Sequence, residues 1–422
     1  TLVTRNTEGR WLIMVLLCLS GGTIYLLPFL REIYYIPIQQ AFEYTNTQMG
    51  ILFSVFGLAS MLSYFPGGWL ADQYSPRKLI SLSLLGVGLG GLYFATQPSY
   101  NANLALHFFW GICTSLIFWG AMIKATRSCA SSEEQGRAFG ILESGRGLVE
   151  VAISSAILAV FAWLGSQATA LSQVITIYAW INIALAMMSW RFLKDSNTNS
   201  SGQDAALKRV SLKNVLTVLR MPSVWLIAIV VLTTYSANWG AYYFTPYATT
   251  GYSLSILLGA SIGVAKMWLK PLAATSAGSI ADRFGLARTV FVLTLTMAGS
   301  FVAFAILPGG KAYLFLMLLN VAVASCAVFA LRGIYFALLD DSGVAPAVTG
   351  TAVGVISAIG FTPDFFMPIL GGMLLDSYPG VLGYRYYFGV IAIMSICGVL
   401  AAHQLMRQSQ QADVIKGPVK FK

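Results

Sequence analysis

Charged side chains are scarce in this sequence, and their scarcity decides its broad class. They make up 10% of the 422 residues, whereas hydrophobic residues make up 57% and the mean hydropathy is +0.72. Soluble globular chains carry roughly 25% charged residues. Because a water-soluble fold cannot bury so much apolar surface, the sequence excludes an ordinary soluble domain and predicts a protein whose solvent is lipid.

The residues that build catalytic and metal centres are also rare. There are only two histidines, His107 and His403, and the five cysteines have no C-x-x-C spacing, so neither a zinc site nor a disulfide framework is indicated. No Gly-rich phosphate loop and no nucleophile elbow is present. We therefore expect no metal, no cofactor, no ATP-driven transport and no enzyme activity.

Acidic residues are fewer than basic ones, with 16 Asp and Glu against 26 Lys and Arg. A formal charge of +10 suggests nucleic acid as one partner, but the basic residues lie in short loops between apolar blocks rather than in an aromatic-interleaved patch. The basic residues are therefore interpreted as determinants of membrane topology, and no nucleic-acid partner is expected.

The apolar residues form blocks of roughly 20 or more, the length that a helix needs to cross ~30 Å of hydrocarbon. A hydropathy window predicts about twelve spans. They begin near Trp11, Gln48, Leu79, Ala102, Ala138, Leu171, Pro222, Ser253, Thr289, Ala312, Val348 and Tyr384.

The basic residues also predict the orientation of these spans. They concentrate in the loops after even-numbered spans and at the ends of the chain, so the positive-inside rule places both termini in the cytoplasm, in a bacterial inner (plasma) membrane. A Ser- and Asn-rich stretch at 196–204 separates six spans from six. The predicted organisation is an N-terminal six-helix bundle (1–192), a cytoplasmic linker (193–220), a C-terminal six-helix bundle (221–406) and a cytoplasmic tail (407–422).

Two loops repeat each other at a fixed offset. The loop after span two reads GWLADQYSPRK (68–78), and the loop after span eight reads GSIADRFGLAR (278–288). A weaker repeat pairs GRAFG (136–140) with GTAVG (350–354), and in this alignment Glu150 corresponds to Asp364. Internal repeats of this kind are typical of transporters built from two related halves.

These loops resemble the signature of the major facilitator superfamily, which has the form G-x-L-A-D-x-x-G-R-[KR] between spans two and three. The first copy departs from it at Ser75, where the family has glycine. The stretches GGTIYLLPFL, EQGRAFGILESGRG, ALRGIYFALL and GFTPD are similar to a bacterial branch typified by the YihN protein. The resemblance implies an all-α polytopic membrane fold with twelve transmembrane helices in two pseudo-symmetric six-helix bundles, and transport by alternating access.

The G-x-x-N-x-G-G pattern of nitrate and nitrite members is missing from spans five and eleven. Its absence lowers the expectation that nitrate is the substrate.

The resemblance also implies a gating latch at the two loops, which would hold the outward-open state. A carboxylate there faces the positive end of a helix in the opposite half, and neighbouring basic residues supply further charge, although these also fit a purely topological role. The expected gating residues are Asp72, Arg77, Lys78, Asp282, Arg283 and Arg288.

Charges inside spans cost at least ~2.5 kcal/mol each at a helix centre, so they usually face a cavity or a partner. Span five carries Glu143, Arg146 and Glu150 on one helical face, either as a binding and coupling site with a Glu143–Arg146 pair or as a structural ion-pair network. Span eight carries Lys266 and Lys270 on one face. Since spans five and eight meet in this family, we hypothesise that Lys266 pairs with Glu150 or Glu143 as a switch.

Two further cations, Arg332 in span ten and Lys124 in span four, lie towards the cytoplasmic ends of helices that line the central cavity in this family. They either bind an anion or extend to the interface. Arg31 is expected to be an interface anchor. In span eleven, Asp364 is flanked by Pro363 and is the first candidate for a proton carrier, with Glu150 and then Glu143 after it.

An aromatic and amide cluster in span seven forms either a binding-site wall or core and interface packing. Its members are Tyr235, Asn238, Trp239, Tyr242 and Tyr243, with Tyr25 in span one.

The function that we expect is secondary active transport of a small solute, with an organic anion favoured because buried basic residues outnumber buried acids. A proton would be the coupling ion, by symport, and the protein would act as a monomer in the lipid bilayer. The alternatives are an exporter of drugs, siderophores or other metabolites by proton antiport and, less favoured, a non-transporting receptor on the same fold.

Overall fold

The computed structural model describes residues 7–129, 135–193, 212–342, 344 and 346–416. Of this part of the chain, 89% is helical and none of it forms a strand. Ten of its helices are long and apolar enough to cross a membrane, and Gly9–Thr23 is a shorter apolar helix. Most of the predicted linker and the last six residues of the predicted tail lie outside the described residues.

The chain divides into two compact units. The first unit contains Thr1–Ser200 together with Ser255–Met267, and the second contains Ser201–Leu254 together with Trp268–Lys422. The start of the eighth span therefore belongs to the first unit.

Eight helices and one π-helical segment, Ile112–Phe118, form the first six spans. The first span is α1 plus α2, and the fourth is α5 and α6 joined through the π-helix. The helices are α1 (Thr7–Thr23), α2 (Arg31–Phe42), α3 (Asn46–Gln73), α4 (Pro76–Ala95), α5 (Tyr100–Gly111), α6 (Trp119–Ser128), α7 (Gln135–Trp163) and α8 (Ala168–Phe192).

The remaining six spans follow a short helix, α9, with two of them again interrupted: the seventh is α10 plus α11, and the eleventh is α16 plus α17. The helices are α9 (Leu212–Leu219), α10 (Pro222–Ala241), α11 (Phe244–Tyr252), α12 (Ile256–Phe284), α13 (Leu286–Ile306), α14 (Leu314–Ile334), α15 (Leu338–Asp341), α16 (Pro346–Gly360), α17 (Pro363–Ser377) and α18 (Val381–Lys416).

Small residues let the helices of the first unit approach closely, as expected where lipid supplies no hydrophobic drive between helices. In this unit α4 packs along α8 and α1 along α7. A Cβ at Gly88 of α4 would lie 2.6 Å from the Ile183 side chain, and a Cβ at Gly91 would lie 2.9 Å from the Cβ of Ala179. Larger side chains at these two glycines would separate α4 from α8.

In the second unit α13 and α10 pack along α18. An aromatic cluster fills this packing, with Phe244, Phe301, Phe304 and Phe388 in mutual ring contact. All four are almost fully buried. The predicted tail begins in a helix, because α18 continues without a break to Lys416.

Candidate functional site

The polar residues of interest lie mainly where spans are interrupted. A helix that ends inside a membrane leaves backbone groups without intrahelical partners, and these groups can bind side chains or solutes. Span one is interrupted between α1 and α2, span seven between α10 and α11, and span eleven between α16 and α17. Each unit has one cluster of polar side chains at such ends.

In the second unit, Asp364 lies in the first turn of α17, where the positive end of the helix dipole favours a carboxylate. Trp239, in the last turn of α10, donates from Nε1 to Asp364 Oδ1 at 2.8 Å, and the Tyr235 hydroxyl donates to Oδ2 at 3.4 Å. Neutral side chains thus bind both carboxylate oxygens.

Arg332 lies in the last turn of α14 and belongs to the same cluster. Its Nη1 donates to Asn238 Oδ1 at 2.9 Å, and its guanidinium carbon lies 5.7 Å from the centre of the Tyr235 ring. Tyr235 therefore contacts the acid with its hydroxyl and the base with its ring. Arg332, Asp364 and Tyr235 are all half-buried, so the cluster is partly accessible within its unit.

The other two aromatic candidates extend this cluster in different ways. The ring of half-buried Tyr242 packs on Trp239 at 4.8 Å between centroids. Tyr243 is fully buried and donates to the Pro368 carbonyl at 3.3 Å. Tyr242 is thus placed at the edge of the cluster, whereas Tyr243 joins α10 to α17 in the core.

In the first unit, Arg146 of α7 binds the end of α1. Its Nε donates to the Gly21 carbonyl at 3.2 Å, which lies in the last turn of α1, and its Nη1 forms a 2.7 Å ion pair with Glu143. The guanidinium also lies 5.2 Å from the centre of the Trp119 ring. The Glu143–Arg146 pair predicted from the spacing is present, and a cation at a helix C-terminus is favourable.

Two glycines make this contact possible. A Cβ at Gly21 would lie 2.8 Å from Cδ of Arg146, and a Cβ at Gly22 would lie 2.6 Å from the Arg146 backbone oxygen. Just beyond them, the Tyr25 hydroxyl donates to the Thr114 carbonyl of the π-helix at 3.5 Å. Tyr25 thus lies in the interruption of span one, near Arg146.

Lys266 forms a buried ion pair with Glu32, a partner that the sequence did not predict. Its Nζ lies 2.6 Å from Glu32 Oε1, and the Lys266 side chain is only 2% exposed. Glu32 is in the first turn of α2, and both residues belong to the first unit. The interruption of span one brings the start of α2 to Lys266, and the pairing of Lys266 with Glu143 or Glu150 stays a prediction.

Arg31 is fully buried, and the prediction of an interface anchor is wrong for it. It is 2% exposed, its Nη1 donates to the Met49 carbonyl at 3.4 Å, and its guanidinium carbon lies 4.5 Å from the centre of the Phe53 ring.

The remaining candidates lie outside the two clusters. Lys124 donates from Nζ to the carbonyl of Ala71, in the last turn of α3, at 2.7 Å, which is the place of a helix-capping residue. Glu150 and Lys270 are half-buried on α7 and α12. Among the described residues, no group of three or more His, Cys, Asp and Glu is arranged to hold a metal.

The family model of the Major Facilitator Superfamily matches residues 11–363. The chain belongs to this superfamily. It is therefore a membrane transporter of a small-molecule substrate rather than an enzyme, and the twelve-helix fold predicted from the sequence is confirmed.

Individual relatives agree with this membership over nearly the full chain. The chain is 30% identical over 412 residues to the inner membrane protein YihN of Escherichia coli, covering 96% of this chain and 97% of YihN. It is 25% identical to the nitrate/nitrite transporter NarU of E. coli, covering 84% and 83%. A bacterial homolog of the human lysosomal transporter Spinster has the same fold, with a TM-score of 0.75 and 13% identity over 97% and 99%.

The two signature loops, 68–78 and 278–288, differ in the residue that caps the N-terminus of the next helix, α4 or α13. Ser75 is the N-cap of α4 and accepts from the Lys78 backbone at 3.5 Å, with Pro76 as the first helical residue. Gly285, at the corresponding place before α13, has φ +89°, which favours glycine. Ser75 therefore replaces the family glycine without strain because its own φ is −69°.

The side chains predicted to form the latch lie at the ends of their helices. Arg77 is half-buried, and its guanidinium carbon lies 4.5 Å from the Trp190 ring centre. Lys78, Asp282 and Arg288 are exposed. Arg283, also exposed, lies 5.4 Å from the Phe284 ring centre. The Asp72 side chain is outside the described residues, so the gating role stays a prediction for this superfamily member.

Sequence reasoning missed Glu32 and the reason for the Gly21–Gly22 pair. Glu32 lies in a long apolar block next to Arg31, and its cost in lipid was the signal that could have found it. The two glycines stand opposite Arg146, and a small-residue pair in a span was the corresponding signal for close helix contact.

Proposed function

We propose that this chain is a proton-coupled secondary transporter that moves a small organic anion across the bacterial inner membrane by alternating access. The proposal depends chiefly on one observation: Asp364 and Arg332 share Tyr235 in a half-buried cluster at interrupted helices of the second unit. Binding sites at discontinuous spans are a recurrent feature of secondary transporters.

Asp364 is the group that we assign to the proton. Its hydrogen bonds from Trp239 and Tyr235 come from neutral donors, so protonation of Asp364 changes the charge of the cluster without breaking a hydrogen bond to a charged side chain. An ionisable residue inside a span is usually part of a transport pathway. The carboxylate charge also acts on Arg332, so proton and anion binding are coupled electrostatically.

Arg332 is the group that we assign to the anion, because a guanidinium binds carboxylate, phosphate or sulfonate with two parallel hydrogen bonds. Asn238 and the Tyr235 ring orient it. Within the first unit, the guanidinium of Arg146 beside Trp119 stays a separate candidate for anion binding. NarU is named a nitrate/nitrite transporter, but the nitrate pattern is missing from spans five and eleven here, which favours a larger organic anion.

The Glu32–Lys266 pair is the switch that we infer in place of the pairing expected from the sequence. It holds the segment Ser255–Met267, which contains the start of α12, against α2 within the first unit. Since a buried ion pair is stable only while both partners are present, separation of the two charges needs compensation by solute, proton or water. We therefore infer two states of this segment, one in which the Glu32–Lys266 ion pair is formed and one in which it is broken.

The proposal is tested with purified protein in liposomes. An inward acid pulse should drive accumulation of at least one member of a panel of small organic anions. The variant D364N should lose accumulation driven by the proton gradient but keep counterflow of the same labelled solute. The variant R332K should keep coupling and bind the solute about 10- to 100-fold more weakly, since a hydrogen bond to a charged group contributes ~1.5 to 3 kcal/mol.

Lys311→Gln supplies the matched control, because it removes an exposed cation in the turn before α14. It should transport like the unmodified protein. If solute leaves only in exchange for protons that enter, the result would favour the alternative of an exporter by proton antiport. If no solute shows counterflow, the result would favour the alternative of a non-transporting receptor. Proton-driven accumulation by D364N equal to that of the unmodified protein would contradict the role given to Asp364.

A further inference from the structure

An apolar groove lies in the second unit, lined by residues of α12, α13 and α14. Its volume is about 790 Å³, within the range of roughly 300 to 1,000 Å³ that small-molecule sites occupy. Its lining includes the buried small residues Ala277 and Ala327 and the exposed residues Leu272, Ile280 and Val292. Leu272 is 65% exposed, so the groove is open to the surrounding membrane.

The groove has the length of one membrane leaflet. Its lining along α12 extends from Leu269 to Phe284, which is ~22 Å at 1.5 Å per residue. One leaflet is about 20 to 22 Å thick when its headgroup region is included, of which about 15 Å is hydrocarbon. The groove therefore begins near the membrane centre and reaches the headgroup region at the end where α12 finishes and α13 starts.

A single cation lies among its lining residues, and it lies at the headgroup end. This residue is Arg288, in the first turn of α13. The rest of the lining consists of apolar, hydroxyl and thiol side chains. An apolar channel of one leaflet's length with a guanidinium at its outer end is complementary to a lipid that has an acyl chain and a negatively charged headgroup.

We infer that this groove is a binding site for an anionic phospholipid, with one acyl chain between α12 and α13 and the phosphate group at Arg288. A second copy of the chain would fit less well, since the lone cation at one end has no acidic counterpart in the lining for a two-fold contact. An apolar solute would not use Arg288. The site is separate from the Asp364–Arg332 cluster and does not depend on the proposed substrate.

The experiment uses the full chain in a zwitterionic detergent, titrated with phosphatidylglycerol or with phosphatidylcholine of the same acyl chains. Native mass spectrometry counts bound lipid and reports the oligomeric state, and thermal unfolding reports stabilisation. Phosphatidylglycerol should bind and raise the unfolding midpoint more than phosphatidylcholine does. The variant R288Q should weaken phosphatidylglycerol binding about fivefold, the contribution expected from one basic residue near an anionic surface.

A second pair of variants tests the apolar part of the site. Ser276 is exposed and lines the groove, whereas Thr275 is exposed and is not among the lining residues. S276F should therefore abolish the preference for phosphatidylglycerol, and T275F should retain it. K311Q, which removes an exposed cation distant in sequence from the groove, is the control for R288Q.

Three results would overturn the inference. Equal binding of phosphatidylglycerol and phosphatidylcholine would show that the headgroup is not recognised. Unchanged binding in both R288Q and S276F would place the lipid elsewhere. A dimer that disappears in S276F would identify a second copy of the chain as the occupant.

Discussion

The two units hold acidic side chains in different ways. In the first unit Glu32 and Glu143 form ion pairs, with Lys266 and Arg146 respectively. In the second unit the carboxylate of Asp364 is bound by the neutral side chains Trp239 and Tyr235. A group held by neutral donors can change its charge without leaving an opposite charge unpaired, whereas a member of a buried ion pair cannot.

This difference predicts which substitutions reduce the stability of the protein and which reduce transport. Changes to the ion pairs of the first unit should act mainly on folding and on the switch. Changes to the neutral donors of the second unit should act mainly on coupling.

Loss of Lys266 should have the largest effect on stability. K266M leaves the Glu32 carboxylate buried without its partner, and removal of one member of a buried pair costs ~3 to 5 kcal/mol. Thermal unfolding of the purified protein measures this loss. The double variant E32Q/K266M should recover most of it, and the charge swap E32K/K266E should recover transport. Equal destabilisation by the single and the double variant would contradict the pairing.

Replacement of Trp239 by phenylalanine should affect transport more than stability. W239F removes the donor to Asp364 Oδ1, a hydrogen bond to a charged group that contributes ~1.5 to 3 kcal/mol. Proton-driven uptake should therefore fall about 10- to 100-fold. Trp180 is exposed on α8, so W180F is the matched control and should transport normally. Normal coupling in W239F would remove the distinction between the two units.

A methyl group at Gly22 should push α1 away from α7. In G22A the new Cβ would lie 2.6 Å from the backbone oxygen of Arg146, and such overpacking costs ~1 to 3 kcal/mol. The midpoint of thermal unfolding should fall. G147A is the control, since a Cβ at Gly147, next to Arg146 on α7, meets no atom within 4 Å. An equal fall in both variants would show that helix contact at Gly22 is not the cause.

The smallest effect is expected at Glu143. Although it pairs with Arg146, its side chain is 63% exposed, and exposed pairs contribute ~0 to 1 kcal/mol. E143Q should unfold within about 1 kcal/mol of the unmodified protein, because Arg146 retains the Gly21 carbonyl as its partner. A loss as large as that of K266M would show that the two ion pairs of the first unit are equivalent.

Hydropathy and the loop repeat were sufficient for the fold. The twelve spans follow from apolar blocks of membrane length, and the Glu143–Arg146 pair follows from helical spacing. The span-seven side chains and Asp364, chosen separately from the sequence, meet in one cluster at Trp239 and Tyr235. Their roles in binding and coupling remain predictions.

The partners of Lys266 and Arg31 were beyond sequence reasoning, for a common physical reason. A hydropathy window treats residues 11–35 as one continuous helix, whereas the chain interrupts it between Thr23 and Arg31. That interruption redirects the start of α2, so Arg31 becomes buried and Glu32 meets Lys266. Hydropathy depends on composition and contains no information about where a span bends.

The π-helical segment of span four fixes how the two halves of that span are rotated. Its wider turn, with i→i+5 hydrogen bonds, accommodates an extra residue between α5 and α6. Deletion of one residue within Ile112–Phe118 would let the segment relax to an α-helix with α6 still facing the same neighbours, so Lys124 would keep the carbonyl of Ala71. A further inserted residue would have no second wide turn to absorb it and would rotate α6 by about 100°. Span four should therefore tolerate a deletion in this segment better than an insertion.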